Sequence, residues 1–460
     1  MMNPTALPFF GLVLSAALAT AGAAPSNTTD VLVVGSGGAG MGAAIAAREA
    51  GADVIMIEKL AMVGGTTLLS STAFNAGGSQ VQMAMEKPYT ADDYFKKLEA
   101  GANGKELENL RQLADASGPT ADWLIDMGAD LGRVINGSQH TPKDGSALGV
   151  NLVPAMKARV DALKVDTRLR TKAESLITDE KGRVTGVRVS SPQGGYAITA
   201  KTVILATGGF ASSPEMVAKY TPVWAGCPST ASVGATGDGI VMAEKVGAAL
   251  SQMDLTGPQS VAYDTGHGAV SLTNVRYNGA ILVNKEGKRF FNELGNTAKL
   301  GEAITKQTGG TAWLVFDQAS VEHAALMSEH KEKGYFTEAP TVAELAKKLG
   351  VDGKALEATV ADWHGVYDTK TDKAFGRKDS IFSRLDKAPF YGAKISPASQ
   401  TTYGGVMRDL KCRAVRADGT AIPGLYVAGE VASQYGQGVS IGVVLGRIAG
   451  TEAAKEALGK

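Results

Sequence analysis

The chain has 460 residues, which is too long for one simple hydrophobic core and predicts two or three domains. Hydrophobic residues make up 44% and charged residues 20%, as in ordinary globular proteins. Acidic and basic residues balance at 46 each, so the charge gives no indication of a nucleic-acid partner. The 57 glycines favour tight turns and close backbone approaches, which cofactor-binding α/β proteins need.

The first 24 residues differ from the rest of the chain. The stretch "ALPFFGLVLSAALATAGAA" is apolar, ends in small residues and is followed by "PSNTTD" without a basic stop-transfer flank. We therefore predict a secretory signal peptide over residues 1–24, a periplasmic or secreted protein and no stable membrane span after cleavage. An uncleaved N-terminal anchor is the alternative, because "MMNPT" contains no Lys or Arg.

The cysteines and histidines give little indication of a disulfide, haem or metal site. Cys227 and Cys412 could form a disulfide in an oxidising compartment, but the sequence does not establish it. There is no Cys-x-x-Cys-His segment, so no c-type haem is predicted on this chain, and no two of the five histidines have metal-ligand spacing. We expect no metal site.

The segment "DVLVVGSGGAGMGAAIAAREAGADVIMIEK" predicts a βαβ unit, with strands over residues 30–34 and 53–58 around an Ala-rich helix. Within it, "GSGGAG" fits G-x-G-x-x-G. Gly35 permits the tight turn, Gly37 lets a pyrophosphate approach the backbone, and Gly40 lets the helix pack on the strand. The helix N-terminus stabilises phosphate charge, and Glu58 can accept hydrogen bonds from ribose hydroxyls.

Further elements follow in chain order. Residues 173–190 predict a hairpin, and "YAITAKTVILATGGF" predicts two more strands. "GATGDGIVMAEKVG" predicts a Gly-rich loop that leads into a helix. From about 254 to 400, short strands alternate with charged amphipathic helices, which indicates an inserted domain. Three separated glycine turns, in "EKLAMVGGTT", "ILATGG" and "GLYVAGE", suit a long cofactor and favour FAD over NAD.

These segments together resemble the fumarate reductase/succinate dehydrogenase flavoprotein family, through "DVLVVGSGGAG", "VILATGGF", "GATGDG", "NKEGKRFFNE", "YGGV" and "GLYVAGE". The resemblance implies an α/β fold, in which a Rossmann-like FAD-binding domain is interrupted by an α+β cap domain. We assign residues 25–253 and 401–460 to the FAD-binding domain and residues 254–400 to the cap. It also implies hydride transfer between flavin N5 and a carbon next to an electron-withdrawing group.

The resemblance implies a set of FAD-binding positions spread over the whole chain. At the position of the covalently flavinylated histidine of succinate dehydrogenase this chain has Thr66, which implies noncovalent FAD. With the glycine motif included, the predicted cofactor residues are Gly35, Gly37, Gly38, Ala39, Gly40, Glu58, Lys59, Gly65, Thr66, Thr67, Thr72, Ala173, Thr207, Gly208, Asp238, Glu430, Ser440 and Ile441.

The catalytic residues of fumarate reductases do not carry over. The proton-donating arginine matches Thr297, and two histidines match Thr401 and Gln259. The second substrate-binding arginine has no counterpart in "SQYGQGVSIG". A dicarboxylate needs paired cations, so these replacements disfavour fumarate or succinate as the substrate.

The spacing Y-x-x-G-x-S-[IL]-G, from Tyr435 to Gly442, resembles the ketosteroid-dehydrogenase branch instead. Tyr435 is our first candidate for a phenolic acid or hydrogen-bond donor, and the alternative is a tyrosine that packs on the isoalloxazine ring. Tyr403 and Gln259 complete the predicted catalytic set, and Gln437 is a further polar candidate.

The sequence therefore predicts a periplasmic FAD-dependent oxidoreductase that acts on CH–CH groups conjugated to a carbonyl, with enone or enoate reduction as the preferred direction. Its electrons would come from a separate cytochrome or flavoprotein. Two alternatives stay open: a 3-ketosteroid-type dehydrogenase, and a flavin-binding electron-transfer subunit without turnover. The reductase and the ketosteroid-type dehydrogenase differ in the direction in which hydride moves, and the electron-transfer subunit has no substrate.

Overall fold

The structure is a computed structural model that describes residues 26–71, 73–102, 105–266, 268–436 and 438–460. The predicted signal peptide, and the candidates Thr72 and Gln437, lie outside the described residues.

The described chain alternates strands and helices. The strands are β1 (Thr28–Val34), β2 (Val54–Ile57), β3 (Phe74–Asn75), β4 (Arg133–Ile135), β5 (Gln139–Thr141), β6 (Asp166–Arg168), β7 (Lys172–Thr178), β8 (Val184–Ser191), β9 (Gly194–Leu205), β10 (Leu250–Ser251), β11 (Thr256–Asp264), β12 (Ala269–Ser271), β13 (Ile281–Val283), β14 (Ala312–Asp317), β15 (Thr337–Ala339), β16 (Phe390–Thr402), β17 (Gly405–Val406), β18 (Arg413–Val415) and β19 (Ala421–Val427).

The α-helices are α1 (Gly38–Glu49), α2 (Gly65–Leu68), α3 (Gln80–Met83), α4 (Ala91–Ala102), α5 (Leu107–Asp126), α6 (Leu148–Ala162), α7 (Pro214–Tyr220), α8 (Asp238–Lys245), α9 (Thr273–Tyr277), α10 (Thr297–Thr305), α11 (Gln318–His323), α12 (Ala325–Glu332), α13 (Val342–Leu349), α14 (Gly353–Thr369) and α15 (Val439–Leu458). Single 3₁₀ turns lie at Pro222–Trp224, Thr308–Gly310 and Gly429–Val431.

The largest sheet has the strand order β18-β19-β9-β1-β2-β6, with β8 beside β9 and β7 beside β8. Strands β19, β9, β1, β2 and β6 are parallel. Residues 31–34 and 54–57 are buried throughout, as expected for parallel strands that are covered on both faces. The βαβ unit and the α/β fold class are confirmed.

The predicted hairpin over residues 173–190 is confirmed by the antiparallel pairing of β7 with β8. The prediction of two strands in "YAITAKTVILATGGF" is wrong, since β9 is one strand of 12 residues. Its first half pairs with β8 in antiparallel fashion, and its second half pairs with β1 in parallel fashion. Thr199 has a partner on both sides, because the two pairings overlap there. The same strand therefore serves the hairpin and the parallel core.

Helices α1 and α15 pack so closely that their backbones are in contact. A Cβ atom built on Gly446 would lie 2.2 Å from the carbonyl oxygen of Ala39, and one built on Gly450 would lie 2.2 Å from that of Ala43. Only glycine allows this approach. The first turn of α1 and the first turn of α15 are consequently held side by side, although they lie some 400 positions apart in the sequence.

A second sheet has the order β12-β11-β16-β14-β13, with β15 also on β16. Its own hydrophobic cluster includes Leu314, Phe316 and Trp363, all buried. The chain enters this region just after β10 and leaves it just before β17, and these two strands pair with each other. The domain boundaries at 253/254 and 400/401 stay a prediction.

Three other observations concern the cysteines, metal sites and long apolar helices. Cys227 and Cys412 are both free thiols. In the described ranges, no group of three or more His, Cys, Asp or Glu side chains is arranged to hold a metal ion. Among the same residues, no helix combines the length and the apolar character that crossing a bilayer requires.

Candidate active site

The turn between β1 and α1 has the geometry of a phosphate-binding loop. Gly35 has a φ of +103°, and a Cβ there would lie 2.4 Å from the carbonyl oxygen of Ala206. Gly37 precedes α1 and has no side chain to cap the helix, so the N–H groups of the first turn other than that of Gly38, which donates to the Thr67 hydroxyl, are available to bind an anion. A Cβ on Gly37 would meet only the oxygen of Gly64, at 3.9 Å, so the space beside it is open.

Glu58 lies directly after β2 and is 7% exposed. Its carboxylate accepts hydrogen bonds from the backbone N–H of Ser36 (3.0 Å), the Ser36 hydroxyl (2.8 Å) and the backbone N–H of Leu60 (2.9 Å). These donors fix the carboxylate against the glycine turn. Ser36 was not among the sequence candidates, although it stands inside the motif.

Helix α2 closes over the same turn. Gly64 and Gly37 form a parallel β-bridge, which brings Gly65 within contact of Gly37. The Thr67 hydroxyl accepts a hydrogen bond from the backbone N–H of Gly38 at 3.0 Å, and the Thr66 hydroxyl accepts one from that of Ser232 at 3.1 Å. The "GSGGAG" motif and the glycine turn in "EKLAMVGGTT" are thus in direct contact.

A charged pair joins the second strand to helix α8. The Lys59 ammonium donates to the Asp238 carboxylate at 2.7 Å and to the Thr236 hydroxyl at 2.6 Å. Burial opposes ionisation of Asp238, but Lys59 lowers the pKa of that carboxyl below its ordinary value. Ala173 is buried in β7, two residues beyond Thr171, whose N–H donates to the backbone of Glu58. These residues surround the outer side of the βαβ unit.

The C-terminal segment supplies the other side of the cradle. Glu430 accepts hydrogen bonds from the Thr402 backbone N–H (2.8 Å) and hydroxyl (3.0 Å). Burial raises the pKa of Glu430 to about 7, although the two Thr402 bonds act in the opposite direction. The Ser440 hydroxyl accepts from the Asn75 N–H at 2.6 Å, and Ile441 is buried beside it at the start of α15.

Several of these groups fit a long cofactor with a pyrophosphate and hydroxyls. The Thr207 hydroxyl is buried without a hydrogen-bond partner in the described structure, and a Cβ on Gly208 would meet nothing within 4 Å. The Thr207 hydroxyl, the uncapped N-terminus of α1 and the buried carboxyl of Glu430 offer hydrogen-bond donors and acceptors to such a ligand. Predicted cofactor residues from widely separated parts of the chain are therefore brought together by these contacts.

Two of the three predicted catalytic residues lie together. The rings of Tyr403 and Tyr435 are 6.0 Å apart between centroids, with a tilt of 40°. Tyr403 follows Thr402, the residue that binds Glu430. Burial, and then the neighbouring Tyr435 and Glu430, raise the pKa of Tyr403 above its ordinary value, so its phenol stays protonated at neutral pH.

Gln259 lies on strand β11, in the second sheet. Its side-chain oxygen accepts from the Thr273 hydroxyl, and its nitrogen donates to the Gln400 oxygen at 3.3 Å. The structure gives it no hydrogen bond to either tyrosine among the described contacts. The same strand lies close to Tyr403 at Gly257, where an added Cβ atom would lie 2.7 Å from the Tyr403 hydroxyl oxygen.

A buried cation lies behind this part of the second sheet. Arg276 is 2% exposed and donates to the backbone oxygen of Glu293 at 2.9 Å and to the Thr297 hydroxyl at 3.4 Å. Burial lowers the pKa of Arg276, although Tyr277 acts in the opposite direction. Lys299 and Tyr277 are exposed. Arg276 therefore contacts the segment at Thr297 by a hydrogen bond to the Thr297 hydroxyl.

Sequence reasoning missed the residues that hold the candidates in place. Thr402, Thr236 and Ser36 bind three of the predicted cofactor residues, and Glu106 accepts a hydrogen bond from the Tyr435 N–H at 3.2 Å. Thr402 and Thr236 stand beside predicted motifs, so their hydroxyls could have been proposed. Glu106 stands in no motif, so no local signal pointed to it.

Comparison with known proteins decides what the cradle holds. The family described as FAD binding domain matches residues 30–442. The chain belongs to this family. FAD is therefore its cofactor, and Thr66, at the position discussed above, has no group that forms the histidyl link.

Two curated relatives and one solved structure make the family placement more specific. Fumarate reductase (cytochrome) of Shewanella frigidimarina is 37% identical over 457 residues, which cover 96% of this chain and 79% of the relative. Urocanate reductase of Eggerthella lenta is 32% identical, over 94% and 76%. The open conformation of a flavocytochrome c3 fumarate reductase has a TM-score of 0.88 at 32% identity, over 95% of this chain and 80% of that one.

These relatives and the FAD family show an FAD-dependent oxidoreductase that acts on CH–CH groups. When FAD is bound, the flavin supplies a hydride donor and acceptor at N5. The chain's own residues supply the anion site at α1, the carboxylates at 58 and 430, and the tyrosine pair.

The open space beside Gly37 leads to a prediction. Gly37→Ala fits the FAD-free fold, because the backbone there is extended and the new methyl has room, but it occupies the approach of the pyrophosphate. We expect an unchanged melting temperature of the apoprotein and at least about tenfold weaker FAD binding, measured by flavin fluorescence. Gly35→Ala is the contrasting control, since it should destabilise the apoprotein itself by about 2 kcal/mol or more. Normal FAD affinity in Gly37→Ala would contradict this assignment.

Glu430 gives a second prediction, on pH. Its pKa in the folded protein, about 7, lies above the ordinary 4.5, so folding favours the protonated form. The stability contributed by Glu430 is full below about pH 4.5, declines as the pH rises and is gone above about 7, a change of roughly 3 kcal/mol. Glu430→Gln should flatten the pH dependence of apoprotein unfolding in denaturant between pH 5 and 8. The exposed Glu180→Gln should leave it as in the wild type, and equal slopes in all three proteins would refute the assignment.

Proposed function

We propose that the protein is a reductase of enones or enoates, in which hydride passes between flavin N5 and a carbon conjugated to a carbonyl. The tyrosine pair carries this proposal. Tyr403 and Tyr435 lie side by side next to Glu430, a predicted cofactor residue, and a phenol is an uncharged hydrogen-bond donor. Uncharged donors suit a carbonyl oxygen rather than a pair of carboxylates.

In this mechanism the phenol of Tyr435 donates to the substrate carbonyl or delivers the proton that completes saturation of the C=C bond. Tyr403 orients that phenol, and burial keeps its own proton in place. Strand β11 of the second sheet approaches the Tyr403 hydroxyl at Gly257. The positions that match the cationic residues of fumarate reductases hold Thr297, Thr401 and Gln259, which argues against a dicarboxylate.

Location and partner belong to the same proposal. The apolar N-terminal stretch supports export to the periplasm, and the lack of a haem-attachment segment supports a separate cytochrome or flavoprotein as the electron donor. We further propose that the second sheet, over residues 254–400, acts as a cap that closes the substrate between itself and the FAD-binding domain.

Two alternatives are kept because a specific feature favours each. The Tyr435–Gly442 spacing, similar to ketosteroid dehydrogenases, favours a 3-ketosteroid-type dehydrogenase that works in the oxidative direction. The replaced cationic residues favour a flavin-binding electron-transfer subunit without turnover. All three functions need FAD, and they differ in what reacts with it.

Anaerobic flavin titration distinguishes these functions. The reduced protein is mixed separately with an enone, a monocarboxylic enoate, fumarate and a ketosteroid, and the oxidised protein with a saturated ketosteroid. We expect reoxidation of the flavin absorbance by the enone or enoate, at a rate well above that with fumarate. Bleaching by the saturated ketosteroid would establish the dehydrogenase instead, and silence toward every compound would leave the electron-transfer subunit.

Tyr435→Phe tests the assigned proton donor. We expect kcat of enone or enoate reduction to fall about 100-fold, as is typical when a general acid is removed, with bound FAD retained. Tyr196→Phe, in the part of strand β9 that pairs with β8, serves as the matched control and should keep wild-type turnover. Unchanged turnover in Tyr435→Phe would refute the role of this residue and leave packing on the flavin ring as its explanation.

A further inference from the structure

Glu106 lies at the start of helix α5, in a backbone conformation that glutamate rarely adopts. Its φ and ψ are 56° and 33°, in the left-handed region, and its side chain does not cap the helix. Such a conformation costs free energy and persists only where the surroundings impose it. Here the carboxylate is held by three hydrogen-bond donors.

These donors come from two distant segments of the chain. One carboxylate oxygen accepts from the side-chain amide of Gln252, which precedes the second sheet. The other accepts from the Tyr435 backbone N–H at 3.2 Å and from the side-chain amide of Gln434 at 3.4 Å. A single carboxylate therefore connects the start of α5, the exit to the second sheet and the segment that carries Tyr435.

The amide of Gln434 is itself held between opposite charges. Its oxygen accepts from the Arg408 guanidinium at 2.8 Å, while its nitrogen faces Glu106. Gln434 is fully buried and Arg408 is 8% exposed. In the described part of the chain, no ion pair joins Glu106 or Arg408 to an opposite charge, so the Gln434 amide is the connection between them. The charges on its two sides fix which way the amide points.

The same segment also holds the second tyrosine. The Gln434 backbone N–H donates to the Tyr403 backbone carbonyl oxygen at 3.0 Å, and the Tyr403 backbone N–H donates to the Leu255 carbonyl oxygen at 2.9 Å. Displacement of residues 434 and 435 would therefore disturb both rings. A shift of about 1 Å in a reacting group is enough to lower a rate by about two orders of magnitude.

We propose that Glu106 is a positioning residue, whose carboxylate holds the segment Gln434–Tyr435 and thereby sets the position of the Tyr435 phenol. The consequence for turnover rests on the proposed function of Tyr435, but the contact itself does not. The hydrogen bonds of Glu106 to this segment go to the Tyr435 backbone and the Gln434 amide, so it acts through these groups.

The test compares Glu106→Gln with Glu108→Gln in the full FAD-loaded protein. The amide introduced by Glu106→Gln offers one oxygen to three donors, so at least one of them is left without an acceptor. Glu108 is an exposed carboxylate on the same helix turn and provides the matched control. Two readouts are taken: hydrogen exchange of a peptide that contains Tyr435, and kcat and KM for the substrate identified by flavin titration.

For Glu106→Gln we expect about tenfold faster exchange at Tyr435 and about tenfold lower kcat, with KM and FAD content close to wild type. Glu108→Gln should change neither readout. If Glu106→Gln does not fold, Glu106→Asp replaces it, because it keeps the acceptor but shortens its reach, and exchange at Tyr435 should rise in the same direction.

The outcomes separate this inference from the proposed function. Faster exchange with full turnover in Tyr435→Phe would retain Glu106 as the anchor of the segment and reject Tyr435 as the proton donor. Wild-type exchange at Tyr435 in a folded Glu106 variant would overturn the inference, whatever the effect on turnover.

Discussion

The backbone contact between α1 and α15 is the constraint on which the site depends. Neither helix could come this close if Gly446 or Gly450 carried a side chain, since the oxygens of Ala39 and Ala43 occupy that space. The contact places the anion-binding turn from the beginning of the chain next to Ser440 and Ile441 from its end. The candidate cofactor cradle is thus assembled from both ends of the chain.

The residues around this cradle divide into a charged side and a neutral side. Lys59, Asp238 and Glu58 lie around the βαβ unit, beside the glycine turn. Toward the second sheet, Glu430 is desolvated and the neighbouring groups are phenols.

Much of the fold could be read from the sequence, because periodic segments such as residues 30–57 report on their own burial. The shared strand β9 could not, since nothing in "YAITAKTVILATGGF" reveals that one half meets a hairpin and the other half a parallel neighbour. Glycine motifs predicted the cofactor residues because each motif is a short, contiguous stretch of sequence. Glu106 and Arg408 were missed because their meaning depends on Gln434, more than 300 positions from the first of them. Long-range side-chain contacts leave no periodic trace.

The late position of β19 and α15 in the chain has a consequence for biosynthesis. Strand β19 pairs with β9, and α15 packs on α1, so the parallel sheet stays open on that side until both have emerged from the ribosome. The anion-binding turn exists earlier, but the wall that contains Glu430 and Ser440 does not. The complete cradle therefore requires nearly the whole polypeptide, including strand β19 and helix α15.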